Sequence, residues 1–217
     1  MIKCIVFDLD GTLLDTLDTI LYYVNKTFEE NGVEPITRDE CRLFVGNGAR
    51  RLLERALNSR GAYSKELFDK IFTEYNAAYN AEPYYLTRPY DGIVEVINTL
   101  RARGLKLGVL SNKPDFATRA AAHHFFGDAF DLVRGGIDGV ALKPMPDAAF
   151  AMLDELGVTP EETAYVGDSD VDILTAKNFS PALFVSVLWG FREREELLAL
   201  GAENFAESTD ELIKYFI

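Results

Sequence analysis

Lys3-Cys4-Ile5-Val6-Phe7-Asp8-Leu9-Asp10-Gly11-Thr12 is the stretch whose reading decides the fold. Its apolar run has no polar alternation, which is the pattern of a strand buried on both faces of a parallel sheet. The run then breaks into two aspartates, a glycine and a threonine. Working outward, the same pattern recurs. Residues 105–110 read as a strand ending at Ser111-Asn112. Residues 163–166 read as a strand ending at Gly167-Asp168-Ser169-Asp170, and residues 182–187 as one ending near Trp189-Gly190. Residues 130–133 form a shorter apolar piece. Helical periodicity lies between these runs. Ile93, Val96, Ile97 and Leu100 keep the i, i+3, i+4, i+7 spacing, and Gly104 stops the helix; residues 148–156 end at Gly157 in the same way. Strand and helix in alternation imply an α/β fold, a Rossmann-like parallel sheet with helices on both faces. Such sheets bind ligands beyond the carboxyl ends of their strands, where the polar clusters sit.

The alternation fails between about Asp15 and Pro83. Leu17, Ile20, Leu21, Val24 and Phe28 form one helical stripe. Leu52, Leu53, Ala56 and Leu57 form a second, and Leu67, Ile71 and Tyr75 a third, with no convincing strand among them. We read residues 15–83 as an all-helical domain inserted into a core made of residues 1–14 and 84–217. A cap of this kind opens and closes over strand ends. Thr16 and Pro83 lie near its two connections, as hinges or as ordinary linker residues.

Composition narrows the function. The 217 residues suit one domain with an insertion, and 48% hydrophobic with 26% charged residues is ordinary globular composition. A net charge of −13 argues against nucleic acid and against anionic membrane surfaces as partners, but not against a small anionic metabolite met by a local site. No apolar run reaches the roughly 18 residues of a membrane span. The opening MIKCIVFDLD carries acids where a secretory signal would continue its apolar region. Cys4 and Cys41 lack disulfide and metal spacing, and we read them as buried thiols of a cytoplasmic protein.

The polar clusters carry the chemistry. Asp8 and Asp10 stand two apart after a buried strand; two close carboxylates repel unless a cation or a shared proton relieves them, although Asp and Gly also make plain turns. Gly167-Asp168-Ser169-Asp170-Val171-Asp172 shifts the balance. Asp170 suits a helix cap and Asp168, nearer the strand end, suits a metal. Asp8, Asp168 and a main-chain oxygen near Asp10 fit a hard divalent ion, Mg²⁺ best. Ser111-Asn112 offers a hydroxyl and an amide before a helix opened by Pro114, a place for an anion. Lys143, between Leu142 and Pro144 with Pro146 beyond, is presented by a stiff backbone.

Taken together, Asp8-Leu9-Asp10-Gly11-Thr12-Leu13-Leu14-Asp15-Thr16, Ser111-Asn112-Lys113, Lys143-Pro144 and Gly167-Asp168-Ser169-Asp170-Val171-Asp172 resemble the four ordered motifs of the haloacid dehalogenase superfamily. The helical insertion resembles that superfamily's type 1 cap. Phe44-Val45-Gly46-Asn47-Gly48-Ala49-Arg50 is similar to the specificity loop of its phosphoglycolate phosphatases, and Trp189-Gly190-Phe191-Arg192 also resembles that branch. The resemblance implies a Mg²⁺-dependent phosphatase of a small phosphorylated metabolite, 2-phosphoglycolate foremost. Asp8 would attack phosphorus and form an aspartyl-phosphate. Asp10 would protonate the leaving alcohol and then activate water. Lys143 would offset charge on the transferring oxygens; Ser111, with Asn112 beside it, would hold a phosphate oxygen. Asp8, Asp10 and Asp168 would ligate the metal, with Asp172 orienting them through water or Lys143. In the cap, Gly46, Asn47 and Arg50 would set specificity, since a guanidinium holds a carboxylate by two hydrogen bonds; Arg51 competes for that role.

Two departures stand out. Leu142 occupies the place where members often carry glycine, and Lys177-Asn178-Phe179-Ser180-Pro181 replaces the usual Ala-Gly after the fourth-motif helix. A pyrophosphatase, a sugar-phosphate phosphatase or a phosphomutase shares the same core, and a phospho-ligand binding module is the non-enzymatic rival. Asp10 argues against a dehalogenase, because displacing halide needs no proton donor. His123 and His124 lie outside every strand-end cluster and read as structural.

Overall fold

The computed structural model describes residues 1–137 and 139–217 and divides them into two compact units, one of residues 1–15 and 89–217, the other of residues 16–88. The larger unit opens with β1 (Cys4–Phe7) and β2 (Leu14–Asp15). The smaller unit holds α1 (Leu17–Glu30), α2 (Arg38–Phe44), α3 (Gly48–Ser59) and α4 (Lys65–Ala81). The chain returns through β3 (Arg88–Pro89) and continues with α5 (Ile93–Ala102), β4 (Lys106–Pro114), α6 (Asp115–Phe126) and β5 (Leu132–Gly136). It closes with α7 (Asp147–Leu156), β6 (Thr163–Gly167), α8 (Asp170–Phe179), β7 (Leu183–Val187), α9 (Arg194–Ala199), β8 (Phe205–Ala206) and α10 (Thr209–Lys214).

Six of these strands form one parallel sheet in the order β5-β4-β1-β6-β7-β8, and β2 and β3 form a separate two-stranded one. β1 is flanked by β4 and β6, in register from Cys4 against Lys106 and Thr163. The chain runs from β1 outward to β5 on one side, then crosses to β6 and runs outward on the other. The carboxyl end of β1 is therefore the switch point where an open α/β sheet forms a crevice. All four β1 residues are buried, as its unbroken apolar run requires. Cys4 and Val6 pack with Met152 and Leu153 of α7 and with Tyr165 of β6 in one core cluster.

Local signals explain the elements. Gly157 closes α7 in the left-handed conformation, at φ 65°. The elements differ from the sequence reading in several places. β4 continues through Ser111, Asn112 and Lys113 to Pro114, with a register irregularity against β5 after Leu110, so the polar cluster lies in the strand rather than beyond it. Ser169, not Asp170, precedes α8 as its cap, with Asp172 accepting from the Ser169 amide. The short β8 and the helices α9 and α10 carry too few apolar repeats to be read from the sequence.

In the smaller unit α1 packs on α2 and α4, α2 on α3, and α3 on α4. The buried face of α4 is Phe68, Ile71, Tyr75 and Tyr79, whereas Leu67, one residue off that face, is half-buried. Residues 84–88 belong to this unit, beyond the boundary expected at Pro83. The reason is local: the Tyr85 carbonyl accepts from Thr19 Oγ1 at 2.7 Å, and the Tyr85 ring lies 4.7 Å from that of Tyr22.

Candidate active site

β1 stops at Phe7, and Asp8 follows it, 8% exposed at the carboxyl end of the central strand. Gly11, at φ 89°, turns the chain back, and its amide donates to the Leu14 carbonyl. The next strand over, β6, delivers Asp168 just past Gly167, and α8 presents Asp172 from its first turn. Each of these aspartates is buried, and one oxygen from each of Asp8, Asp168 and Asp172 lies within 4.8 Å of the others. Residues 160 positions apart in the chain thus meet because β1 and β6 are neighbours in the sheet.

Lys143 enters this acidic cluster from the loop before α7. Its Nζ stands 2.9 Å from Asp8 Oδ1 and 2.8 Å from Asp172 Oδ1, and it donates to Tyr165 Oη at 3.0 Å. Asp8 Oδ1 is buried with the Lys143 ammonium 2.9 Å away, in an ion pair poorly aligned for a hydrogen bond. Asp172 is saturated by contrast. Its Oδ1 accepts from Lys143 and from Tyr165 Oη, and its Oδ2 accepts from the Asp168 and Ser169 amides and from Ser169 Oγ. Asp168 accepts from Thr12 Oγ1 at 3.0 Å and from the Phe191 amide at 2.7 Å.

The electrostatics follow from burial. Loss of water pushes the Asp8 carboxyl up to about 7; Lys143 pulls it down, and the charges of Asp172 and Asp10 push it up. Burial, then Asp172 and Asp8, hold Asp168 well above the ordinary carboxylate range. Burial opposes ionisation of Asp172 as well, but Lys143 outweighs it and holds that carboxyl low. Burial likewise opposes the charge on Lys143, and Asp172 with Asp8 more than offsets it. One ammonium for three buried carboxylates leaves a deficit of positive charge. A buried all-oxygen donor set in which Asp8 and Asp168 lie together fits a hard divalent cation. The saturated Asp172 suits orientation of Lys143 and the loop rather than direct ligation.

The remaining expected residues fall as follows. Ser111 is buried in β4, its Oγ accepting from the Lys113 amide at 3.3 Å. Asn112 commits its amide at both ends to the Lys143 backbone: Nδ2 donates to the Lys143 carbonyl at 2.9 Å, and Oδ1 accepts from the Lys143 amide at 2.8 Å. Both ends of this side-chain amide thus fasten the lysine loop. Asp10 stands apart from the three clustered acids, its carboxylate held by Lys113 Nζ at 3.1 and 3.3 Å. Asp170 pairs with Arg192. His123 and His124 lie in the last turn of α6.

In the helical unit, Gly46 and Gly48 adopt φ 106° and 81° around Asn47. Asn47 precedes α3 but does not cap it; its Oδ1 accepts from Arg55 Nη2 at 2.6 Å, while Arg55 Nη1 donates to the Phe44 carbonyl at 2.9 Å. The Arg50 guanidinium lies over Phe72 at 4.5 Å and Phe68 at 5.2 Å from the ring centres. Stacking uses the face of a guanidinium, and carboxylate recognition uses its edge. Arg51 pairs with Glu54.

The family model of the haloacid dehalogenase-like hydrolases matches residues 5–182. The chain belongs to that family. It is 33% identical over 190 residues to the phosphoglycolate phosphatase of Aquifex aeolicus, covering 87% of this chain and 86% of that one. To the phosphoglycolate phosphatase of Rhodospirillum rubrum it is 33% identical over 220 residues, covering 97% and 90%. A crystal structure from Lactobacillus delbrueckii subsp. bulgaricus superposes with a TM-score of 0.93 at 28% identity, over 99% of this chain and 98% of that one. As a haloacid dehalogenase-like hydrolase with phosphatase relatives, the chain is an enzyme, not a binding module without chemistry.

The sequence reading quoted Thr12, Lys113 and the segment Trp189 to Phe191 within its motifs without assigning them partners in this hydrolase's site, and it did not single out Tyr165. Trp189 Nε1 donates to the Thr12 carbonyl at 3.0 Å, which brings the Phe191 amide onto Asp168. A Cβ at Gly11 or at Gly190 would overlap the Asp168 carboxylate, so both glycines are there for close approach. Tyr165 sits inside an apolar strand and gives no polar signal in sequence. Lys113 lies in a quoted motif, but a lysine that follows an asparagine does not announce its partner.

Proposed function

We propose that the enzyme is a Mg²⁺-dependent phosphatase that hydrolyses a small phosphate monoester, 2-phosphoglycolate, through an aspartyl-phosphate on Asp8. The observation that carries this reading is Asp8 itself: a buried carboxylate at the end of the central strand, 2.9 Å from the Lys143 ammonium and clustered with Asp168. The names of the Aquifex aeolicus and Rhodospirillum rubrum relatives supply the substrate.

Mg²⁺ would be held by one carboxylate oxygen each of Asp8 and Asp168 and by the main-chain oxygen of Asp10, and supplies the charge that lets a phosphate dianion approach an anion. The Asp8 carboxylate oxygen attacks phosphorus while the bond from phosphorus to the ester oxygen breaks. Asp10 gives that oxygen its proton, and the alcohol leaves. Asp10, now ionised, takes a proton from water. The water oxygen displaces Asp8 from phosphorus, which frees inorganic phosphate and restores the carboxylate. Lys143 lies where it offsets charge on the transferring group, and Ser111 offers its hydroxyl hydrogen to a phosphate oxygen. Asn112 acts by fastening Lys143. Residues 16–88 would act as the specificity cap, with Gly46, Asn47 and Arg50 as its specificity residues and a guanidinium edge as the group that recognises a carboxylate. The two free, buried cysteines agree with a reducing cytoplasm.

Phosphate release from p-nitrophenyl phosphate with Mg²⁺ tests the class, and relative kcat/KM for 2-phosphoglycolate, sugar phosphates, nucleotides and pyrophosphate tests the substrate. Asp8→Asn abolishes turnover and trapping of phosphate on the enzyme; retained turnover would defeat the covalent route. Arg50→Ala lowers kcat/KM for 2-phosphoglycolate by about tenfold or more while sparing p-nitrophenyl phosphate. Equal losses on both would remove Arg50 from substrate recognition.

A further inference from the structure

We infer that Lys113 is the positioning residue of the acid–base aspartate, aiming the Asp10 carboxylate by gripping both of its oxygens; the inference deepens, and rests on, the phosphatase reading above. The Lys113 side chain is 6% exposed, and its Nζ lies 3.1 Å and 3.3 Å from Asp10 Oδ1 and Oδ2. A buried ammonium is costly unless paired, so this contact holds both groups in place. Asp10 lies outside the main sheet, in an isolated bridge with Leu14, and the ion pair with Lys113 fixes the direction of its side chain.

Lys113 is itself anchored. β4 extends through it to Pro114, its carbonyl accepts from Thr118 Oγ1 at 3.0 Å, and its amide donates to Ser111 Oγ. A Cβ at Gly135 would collide with that same carbonyl, so the β4–β5 contact there is as close as backbones allow. The two aspartates of the pair therefore receive separate cations. Asp8 faces Lys143, which is shared with Asp172 and Tyr165, and Asp10 faces Lys113. Adjacent residues of one strand end govern both: Asn112 fastens the Lys143 loop, and Lys113 grips Asp10.

The test separates positioning of Asp10 from general support of the fold. An alkyl phosphate needs a proton on its leaving oxygen, whereas p-nitrophenolate leaves without one; both need water activated in the second half-reaction. In the full chain with Mg²⁺, Lys113→Met lowers kcat on 2-phosphoglycolate or glycerol phosphate by about tenfold or more with little change in KM. On p-nitrophenyl phosphate it yields a burst of p-nitrophenol followed by slow turnover, as the phosphorylated enzyme accumulates. Lys113→Arg restores part of the loss. In an Asp10→Asn background, Lys113→Met adds less than about twofold, because the two residues act as a unit. Lys113→Gln gives the same readouts if Lys113→Met does not fold. Additive losses in the double variant, with no burst, would overturn the inference, as would a raised KM at unchanged kcat, which would put Lys113 on the substrate instead. Wild-type enzyme inactive on all three esters would sink the phosphatase reading and this inference with it; an active wild type whose Lys113→Met variant loses equally on all esters and shows no burst on p-nitrophenyl phosphate would sink the inference alone.

Discussion

Lys143 shows how much one side chain carries at this site. It is buried with one ammonium against Asp8 and Asp172, and burial alone would push both acids toward neutrality. Lys143→Met removes the only cation in direct contact with that cluster among the described residues. It should destabilise the fold by about 3–5 kcal/mol, because a buried charge left without its partner costs more than the pair contributes. Urea denaturation in the absence of metal measures this, and an unchanged midpoint would refute it. Tyr165→Phe is milder. It strips from Asp172 one donor, 2.6 Å away, and should cost about 2 kcal/mol while leaving the apolar packing against Phe179 and Phe184 intact. Gly190→Ala acts on geometry instead, since its methyl would overlap Asp168. Turnover should fall and the half-saturating Mg²⁺ concentration rise, even where the variant remains folded.

At the scale of elements, the ends of helices are tied by charged side chains. Arg60, which ends α3, donates from Nη1 and Nη2 to the two oxygens of Glu40 in the first turn of α2. Arg60 and the Thr37 amide hold the Glu40 carboxyl at about 2 instead of its ordinary 4.5. A carboxyl that is more acidic folded than unfolded stabilises when ionised. Its contribution is whole above the ordinary value and fades as the pH falls from there through about 2. Arg60→Met should therefore lower the unfolding temperature at pH 7 and lower it less at pH 3; an equal drop at both would show that the pair contributes no linkage. Arg55 ties the Asn47 turn in the same manner, through Asn47 Oδ1 and the Phe44 carbonyl. Arg55→Ala should raise hydrogen exchange at residues 44–48 while the rest of the helical unit keeps its protection. Helix periodicity made these elements legible: the apolar stripes of α1 and α3 can be read directly, whereas α4 needed its one-residue shift from Leu67 to Phe68. The guanidinium ties were not legible, because an arginine on an amphipathic helix has many possible partners.

For the whole molecule, the parallel sheet gathers scattered acids at one switch point and leaves them short of positive charge. Mg²⁺ should relieve that shortage. The unfolding temperature should rise with Mg²⁺ concentration in the wild type, by mass action on the folded state, and the rise should be lost in Asp168→Asn. Removal of metal by EDTA should abolish phosphate release, and added Mg²⁺ should restore it. No helix among the described residues is long and apolar enough to cross a membrane.

The sequence by itself determined the parallel α/β core, the helical insertion and the four acidic and basic clusters, because hydrophobic period, glycine stops and strand-end polarity depend on near neighbours. Only the tertiary structure decided which charge meets which. It matched Lys143 to Asp8 and Asp172, matched Lys113 to Asp10, turned Asn112 onto a backbone, and set the Phe191 amide on Asp168. Those partnerships join residues up to 135 positions apart, and a side chain carries no local mark of a neighbour that the fold brings within about 3 Å.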